Sequence, residues 1–368
     1  AGYVRSMDLT RRSAAALALS AALVPQAGRA APPRKRPVVI AHRGASGERP
    51  EESLAAYKLA IEEGADFIEP DLVPTKDGVL VARHENEIGG TTDVAARPEF
   101  AARKTTKLID GEKITGWFTE DFTLAELKTV RTRERLPQLR PESASHDGEG
   151  PILTYQEIVD LAKAESRRTG RVIGTYPEMK HPTYFASIGL PLEHRLADLL
   201  KKNDLSSATA PVFVQCFEVG ALKTFRTLSK ARLVQLVSNE GAPADFVARG
   251  DKTAYADMVT PAGLKAVAAY ADGLGPDKVM VVPQDKERLL PATSLVRDAH
   301  AAGLVVHPWT VRAENFFLPE SLRQGDKTAP DYLRQHGDVA ALFAALYAAG
   351  VDGLFSDFTA LAVKARAA

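Results

Sequence analysis

Nine short β-rich runs, most of them separated by helical patterns, constrain this chain more than any other feature. They are PVVIAH (37–42), DFIEPDL (66–72), VLVARH (79–84), RVIGTYPEMK (171–180), PVFVQCF (211–217), ARLVQLV (231–237), KVMVVP (278–283), GLVVHPWTV (303–311) and DGLFSD (352–357). Between them, SLAAYKLAIEEG puts Leu54, Tyr57 and Ile61 on one helical face and stops at Gly64. TYQEIVDLAKAESRRTG opens with Thr154 and Glu157 spaced as a capping box and ends at Gly170, and VAALFAALYAAG ends at Gly350. Strands alternating with helices in this way build a parallel sheet.

A (β/α)8 TIM barrel takes eight strands, so one run is surplus. Between Leu72 and Val79 lie only six residues, VPTKDG, too few for a helical crossover between parallel strands. The Asp77-Gly78 pair instead makes a hairpin, and 79–84 folds back antiparallel on the strand before it. The other eight runs fit the barrel. Residues 86–150 are polar, rich in Pro, Gly and charge, and periodic only around TLAELKTV (123–130). They read as an inserted lobe, with a second irregular stretch at 312–336.

The N-terminal segment reads differently. Arg11-Arg12 precede an apolar run from Ala14 to Val24 and then the small residues AGRAA. That order is the order of an export signal, and the paired arginines point to the twin-arginine route. Residues 1–31 are therefore expected to be a signal peptide and 32–368 a single barrel domain with its insertion, exported to the periplasm or secreted. The apolar run is too short for a membrane span and no cysteine stands at the cleavage site, so no stable membrane anchor is expected. The 47 basic and 47 acidic side chains balance, which argues against a nucleic-acid partner. The lone Cys216 excludes an intramolecular disulfide and reads as a small buried apolar residue.

The chemistry gathers at strand ends. In FIEPDL, Glu69 and Asp71 share one strand face. Two carboxylates side by side repel, and a divalent cation offsets that directly; oxygen-only ligands suit Mg²⁺ or Ca²⁺. The hairpin places His84 roughly opposite Asp71, and His42 ends the neighbouring strand. Both histidines and both carboxylates should therefore meet at the C-terminal mouth of the barrel, where one imidazole could accept and the other donate a proton. Glu178 and Lys180, two residues apart, offer a third carboxylate and a point charge for a phosphate, which Arg43 could grip bidentately. Gln215 supplies a neutral polar group and Trp309 a wall for an organic moiety.

Together, AHRG…RPEES, IEPDLVPTKDG…VARHE, YPEMK, VQCF, PWTV and GVDGLFSD resemble the glycerophosphodiester phosphodiesterases over nearly the whole chain after the leader. The resemblance implies a barrel enzyme that uses one divalent cation, Ca²⁺ or Mg²⁺. It implies hydrolysis of glycerophosphodiesters such as glycerophosphocholine to glycerol 3-phosphate and an alcohol. By motif, His42 and His84 would be the acid/base pair and Glu69, Asp71 and Glu178 the metal ligands. Arg43, Lys180, Gln215, Trp309 and Glu51 would bind substrate, with Glu51 just outside or touching the metal's shell. The sequence departs from the family pattern at Glu52-Ser53 (usually Asn-Thr), Glu85 (Asp), Cys216 (Ser) and Arg312 (Asn). Two other readings are a lipid phosphodiesterase of the same barrel type, which apolar loops at the mouth would favour, and a non-catalytic exported binding protein.

Overall fold

Two prolines set the shape of the sheet. In the computed structural model, which describes residues 36–367, the strands are β1 (Val38–His42), β2 (Phe67–Glu69), β3 (Asp71–Pro74), β4 (Leu80–Ala82), β5 (Thr105–Ile109), β6 (Glu112–Gly116), β7 (Gly174–Thr175), β8 (Glu178–Met179), β9 (Phe213–Cys216), β10 (Arg232–Val237), β11 (Gly273–Pro276), β12 (Val305–Val306) and β13 (Gly353–Ser356). Pro70 divides β2 from β3, and Pro177 lies between β7 and β8. Neither has an N–H to give to a ladder, but each carbonyl still accepts a bond: Pro70 O from Glu178 N and Pro177 O from Gln215 N, both at 2.9 Å. The ladders accordingly run as two arcs, β13-β1-β2-β7 and β12-β11-β10-β9-β8-β3-β4. Single parallel bridges, Thr175 to Val212 and Val311 to Ser356, link them into the (β/α)8 arrangement.

The expected hairpin is present. β3 and β4 pair antiparallel, with Pro74 opposite Leu80, around a turn from Thr75 to Gly78. Beyond Pro70, β4 takes the flank that β1 occupies beside β2. The register puts Arg83, not His84, level with Asp71 (Arg83 N to Asp71 O, 2.9 Å), and His84 lies one residue further on.

One expected strand is a helix. KVMVVP (278–283) contains the helix Lys278–Val281, and the sixth barrel strand is instead GLGP, Gly273–Pro276. Asp277 ends that strand, and its side chain accepts the Val279 N–H as an N-cap. The glycines of β11 follow from packing. A Cβ on Gly275 would come within 2.6 Å of Leu236 Cδ2, and one on Gly273 within 2.9 Å of Val305 Cγ2. β-branched propensity at 279–282 thus yields to crowding in the barrel wall.

The helices expected to stop at Gly64, Gly170 and Gly350 are Leu54–Glu62, Tyr155–Thr169 and Val339–Ala348. Thr154 and Glu157 form the capping box. The inserted lobe holds a hairpin that its composition hid: β5 and β6 join through Asp110-Gly111, both at positive φ (49° and 90°), a two-residue turn matched to sheet twist. No helix among the described residues is long and apolar enough to cross a membrane. The expected signal peptide lies outside the described residues.

Inside the barrel the side chains form layers. Ile40, Phe67, Phe213, Val234 and Phe355, from five strands, and Tyr176, between β7 and β8, make a buried apolar plug. Tyr176 stacks on Phe213 with centroids 5.0 Å apart, and its hydroxyl bonds His307 Nδ1 at 2.9 Å. Two residues further along these strands stand His42, Glu69, Glu178, Gln215, Leu236 and Asp357. The step of two that sends alternate side chains inward therefore lays a polar floor on an aromatic plug. Phe213→Ala should cost about 3–5 kcal/mol. Urea unfolding should show a lower midpoint with an unchanged slope; an unchanged midpoint would mean the plug is not part of the folded core.

Candidate active site

The polar layer lines a cavity of about 420 Å³ at the C-terminal ends of the strands. Parallel register sets its floor: His42 is level with Glu69, Asp71 with Glu178, and Glu178 with Gln215. Glu69, Asp71 and Glu178 can each direct one oxygen so that all three lie within 4.8 Å of one another. All three are buried. Burial, then the charges of Asp71 and Glu52, raise the Glu69 carboxyl well above its ordinary range. Burial also pushes Glu178 up to about 8, with Lys180 opposing and Asp71 adding to the rise. For Asp71 the cations Arg43 and Lys180 overcome burial and hold it low.

This cluster fits a hard cation. Neither carboxylate oxygen of Asp71 has a hydrogen-bond donor directed at it among the described residues. Arg43 Nε lies 2.9 Å from Asp71 Oδ2 but out of line for a hydrogen bond. Unpaired buried oxygens are costly, and a three-carboxylate oxygen set is what a Ca²⁺-like or Mg²⁺-like ion takes. Glu69 is aimed by two donors, Arg43 N at 2.8 Å and Gln215 Nε2 at 3.0 Å. Gln215 thus both lines the cavity and orients a carboxylate.

Each histidine is oriented through Nδ1. His42 Nδ1 lies 2.6 Å from Asp357 Oδ1, so it carries the proton given to that carboxylate and leaves Nε2 as the basic nitrogen. Asp357 is in turn held by Arg140 Nη2 at 2.7 Å and Arg312 Nε at 2.9 Å. Burial first, and Arg43 next, lower His42 to about 4 against the pull of Asp357. His84 Nδ1 lies 2.8 Å from Glu85 Oε1, and its Nε2 faces Lys180 Nζ at 3.2 Å. Protein packed around His84, then Arg43 and Lys180, lower it to about 4 as well. Both imidazoles are therefore neutral at pH 7.

Residues 42–361 match the family model described as the Glycerophosphoryl diester phosphodiesterase family. This chain belongs to that family. A glycerophosphodiester phosphodiesterase of Arabidopsis thaliana, GDPD6, is 36% identical over 336 residues, 88% of this chain and 84% of that protein. One from Haemophilus influenzae is 30% identical over 345 residues, 87% of each. Among solved structures, a phosphodiesterase of Oleispira antarctica, in complex with sn-glycerol-3-phosphate, superposes with a TM-score of 0.58 at 20% identity, covering 90% of this chain and 97% of that one. The glycerophosphodiester phosphodiesterase of Agrobacterium tumefaciens gives 0.54 at 16%, covering 89% and 99%. Both likenesses show the barrel fold.

The expected site residues of this family member come together with one exception. Arg43, Lys180 and Trp309 line the cavity with both histidines. Glu51 is not among the residues that line it: its carboxylate meets Arg43 Nη1 at 3.2 Å and Arg135 Nε at 2.9 Å. Glu52, one of the departures from the family pattern, accepts the Asp71 N–H at 2.8 Å. Several contributors were missed. Arg135 and Arg140 come from the unpatterned insertion. Asp357 stands two residues beyond the inward-facing Phe355 in GLFSD, a spacing that could have disclosed it.

His181 was also missed, although it follows Lys180 directly. Its Nδ1 meets Asp110 Oδ2 at 2.5 Å and its Nε2 meets Glu85 Oε2 at 2.9 Å. The turn of the inserted hairpin therefore reaches His84 through His181 and Glu85. Burial opposes the charge, but Asp110 and Glu85 raise His181 to about 9. A pKa raised above 6.5 contributes stability that is full below pH 6.5 and is lost as pH rises through 9. The His181→Gln variant should be less stable than the parent by on the order of 2–3 kcal/mol at pH 6. That gap should close by pH 10; a pH-independent difference in urea unfolding would refute the ion-pair account.

Proposed function

We propose that this protein hydrolyses glycerophosphodiesters such as glycerophosphocholine to glycerol 3-phosphate and an alcohol, with Glu69, Asp71 and Glu178 holding one Ca²⁺ or Mg²⁺. The observation that carries the reading is the convergence of two neutral histidines on a buried three-carboxylate cluster flanked by Arg43 and Lys180. When bound, the cation supplies Lewis acidity toward phosphoryl oxygens. Arg43 and Lys180 hold the diester anion and meet the charge that builds on its oxygens in the transition state.

His42 is the base. Its Nδ1–H is committed to Asp357, so Nε2 takes the proton from the nucleophile, and Asp357 stabilises the imidazolium that forms. His84 takes up a proton from solvent on Nε2 once the diester is bound and delivers it to the leaving oxygen. An anion lodged against Arg43 and Lys180 offsets the two cations that hold His84 down and raises its proton affinity when a donor is needed. Trp309, braced by its Nε1–H on Gly275 O at 2.9 Å and by the edge of Phe217, walls the pocket on the organic side.

His42→Ala should lower kcat for glycerophosphocholine by about 10²–10⁴-fold while the circular dichroism spectrum is kept. Near-parental turnover in that variant, with Ca²⁺ or Mg²⁺ supplied, would remove His42 from the chemistry. EDTA should abolish release of glycerol 3-phosphate and re-added cation restore it; full activity in EDTA would sink the metal assignment. Export by the twin-arginine route belongs to the same proposal. Lys in place of both Arg11 and Arg12 should leave the protein inside the producing cell, and continued export of that variant on cell fractionation would count against it.

A further inference from the structure

Of the two imidazoles, His84 has the looser backing. Asp357, behind His42, is buried and held by Arg140 and Arg312. Glu85, behind His84, is partly exposed and has one more rotatable bond than the aspartate usual at that place in the family. Left free, such a carboxylate samples several rotamers and the imidazole turns with it. Both of its oxygens are taken, however. Glu85 Oε1 lies 2.8 Å from His84 Nδ1, and Glu85 Oε2 lies 2.9 Å from His181 Nε2. Against burial, hydrogen bonds from His181 and His84 hold the Glu85 carboxyl well below its ordinary range, so it is an anion at pH 7.

His181 reaches Glu85 through an uncommon backbone. In an extended chain Lys180 and His181 would face opposite sides. His181 instead sits at φ 48° and ψ 43°, a left-handed conformation that few side chains other than glycine adopt. Both residues thereby turn onto the His84–Glu85 pair, Lys180 Nζ at 3.2 Å from His84 Nε2 and His181 on Glu85. Strain of this kind persists where the surroundings over-determine it. The inserted hairpin supplies that constraint: Asp110, at the tip of β5–β6, meets His181 Nδ1 at 2.5 Å. The hairpin has anchors besides its tip, in buried Ile109 and in Lys107 Nζ, which lies 2.9 Å from Glu120 and 2.7 Å from Asp121.

We propose that Asp110 and His181 are positioning residues for His84, the inserted hairpin acting through the chain Asp110–His181–Glu85 to fix the imidazole with Nε2 toward the leaving oxygen. The inference rests on the reading of His84 as proton donor above and deepens it. Neither residue touches substrate. With Nδ1–H committed to Glu85, the proton that moves is the one on Nε2, and the Glu85 charge favours the imidazolium that carries it. The two histidines are then served alike. Each Nδ1 meets a carboxylate, and the insertion steadies each carboxylate, Asp357 through Arg140 and Glu85 through Asp110 and His181.

The test compares two substrates that differ in their need for a proton donor. Choline leaves glycerophosphocholine as an alkoxide that must be protonated, whereas p-nitrophenol leaves the p-nitrophenyl ester of glycerol 3-phosphate as a stable anion. Asp110→Gly and His181→Gly each remove the side chain at a position whose left-handed backbone suits glycine. With cation supplied, each should lower the single-turnover rate for glycerophosphocholine at least about tenfold, part of what a general acid contributes, and leave that for the p-nitrophenyl ester within about twofold. Added to His84→Gln, which removes the donor, Asp110→Gly should cost nothing further. Equal losses on the two substrates, or a further loss in the His84→Gln background, would give Asp110 and His181 a merely structural role and overturn the inference. An unchanged rate for glycerophosphocholine in both folded variants also overturns it. Parental hydrolysis of glycerophosphocholine by His84→Gln overturns the role of His84 itself, and hydrolysis of neither ester by the parent overturns the phosphodiesterase reading, each a distinct result.

Discussion

Three carboxylates whose oxygens lie within 4.8 Å of one another, all buried, are the constraint on which the rest of the site depends. Burial first, and the neighbouring carboxylate charges after it, make them resist ionisation and raise the Glu69 and Glu178 carboxyls. The structure meets this with two cations from strand ends, Arg43 and Lys180, and gives neither Asp71 oxygen a hydrogen-bond donor among the described residues. That leftover valence makes the cluster a place for a hard ion. Burial lowers both histidines, with Arg43 adding to the effect on each and Lys180 on His84, so one electrostatic arrangement governs the carboxylates, the two cations and both imidazoles together.

Around this centre the loops act as braces. The insertion sends Arg140 to Asp357, Arg135 to Glu51 and Asp110 to His181. Each of these contacts ends, one or two bonds later, on His42, Arg43 or His84. A polar lobe that looks like decoration in the sequence thus sets the orientation of three groups that line the cavity. Its other edge, with the 312–336 stretch, forms an apolar trough at the mouth. The two irregular segments complete the site in different ways: one steadies charges, and both together shape the approach.

The barrel was legible wherever a local rule sufficed. A six-residue gap forbids a crossover, so the β3–β4 hairpin followed from length alone. Alternation in FIEPDL and YPEMK put Glu69, Asp71, Glu178 and Lys180 on inward faces, and parallel register brought them level. The misread strand at 278–283 shows where local rules stop. β11 is made of GLGP because Leu236, Val234 and Val305 leave room for nothing larger, and those neighbours are distant in sequence.

The amino-acid sequence by itself determined the alternating architecture, the antiparallel return that delivers His84, and the inward set of acidic and basic groups. Those follow from the period of two along a strand and from chain lengths too short for other connections. Only the tertiary structure decided that Asp357 backs His42, that Glu51 pairs with Arg43 and Arg135, and that Phe316 and Leu333 stand open beside the cavity. The first joins the ends of two neighbouring strands 315 residues apart in sequence, and the other two depend on contacts between segments with no periodicity of their own. Such contacts are set by where loops come to rest on the barrel, which no local pattern encodes.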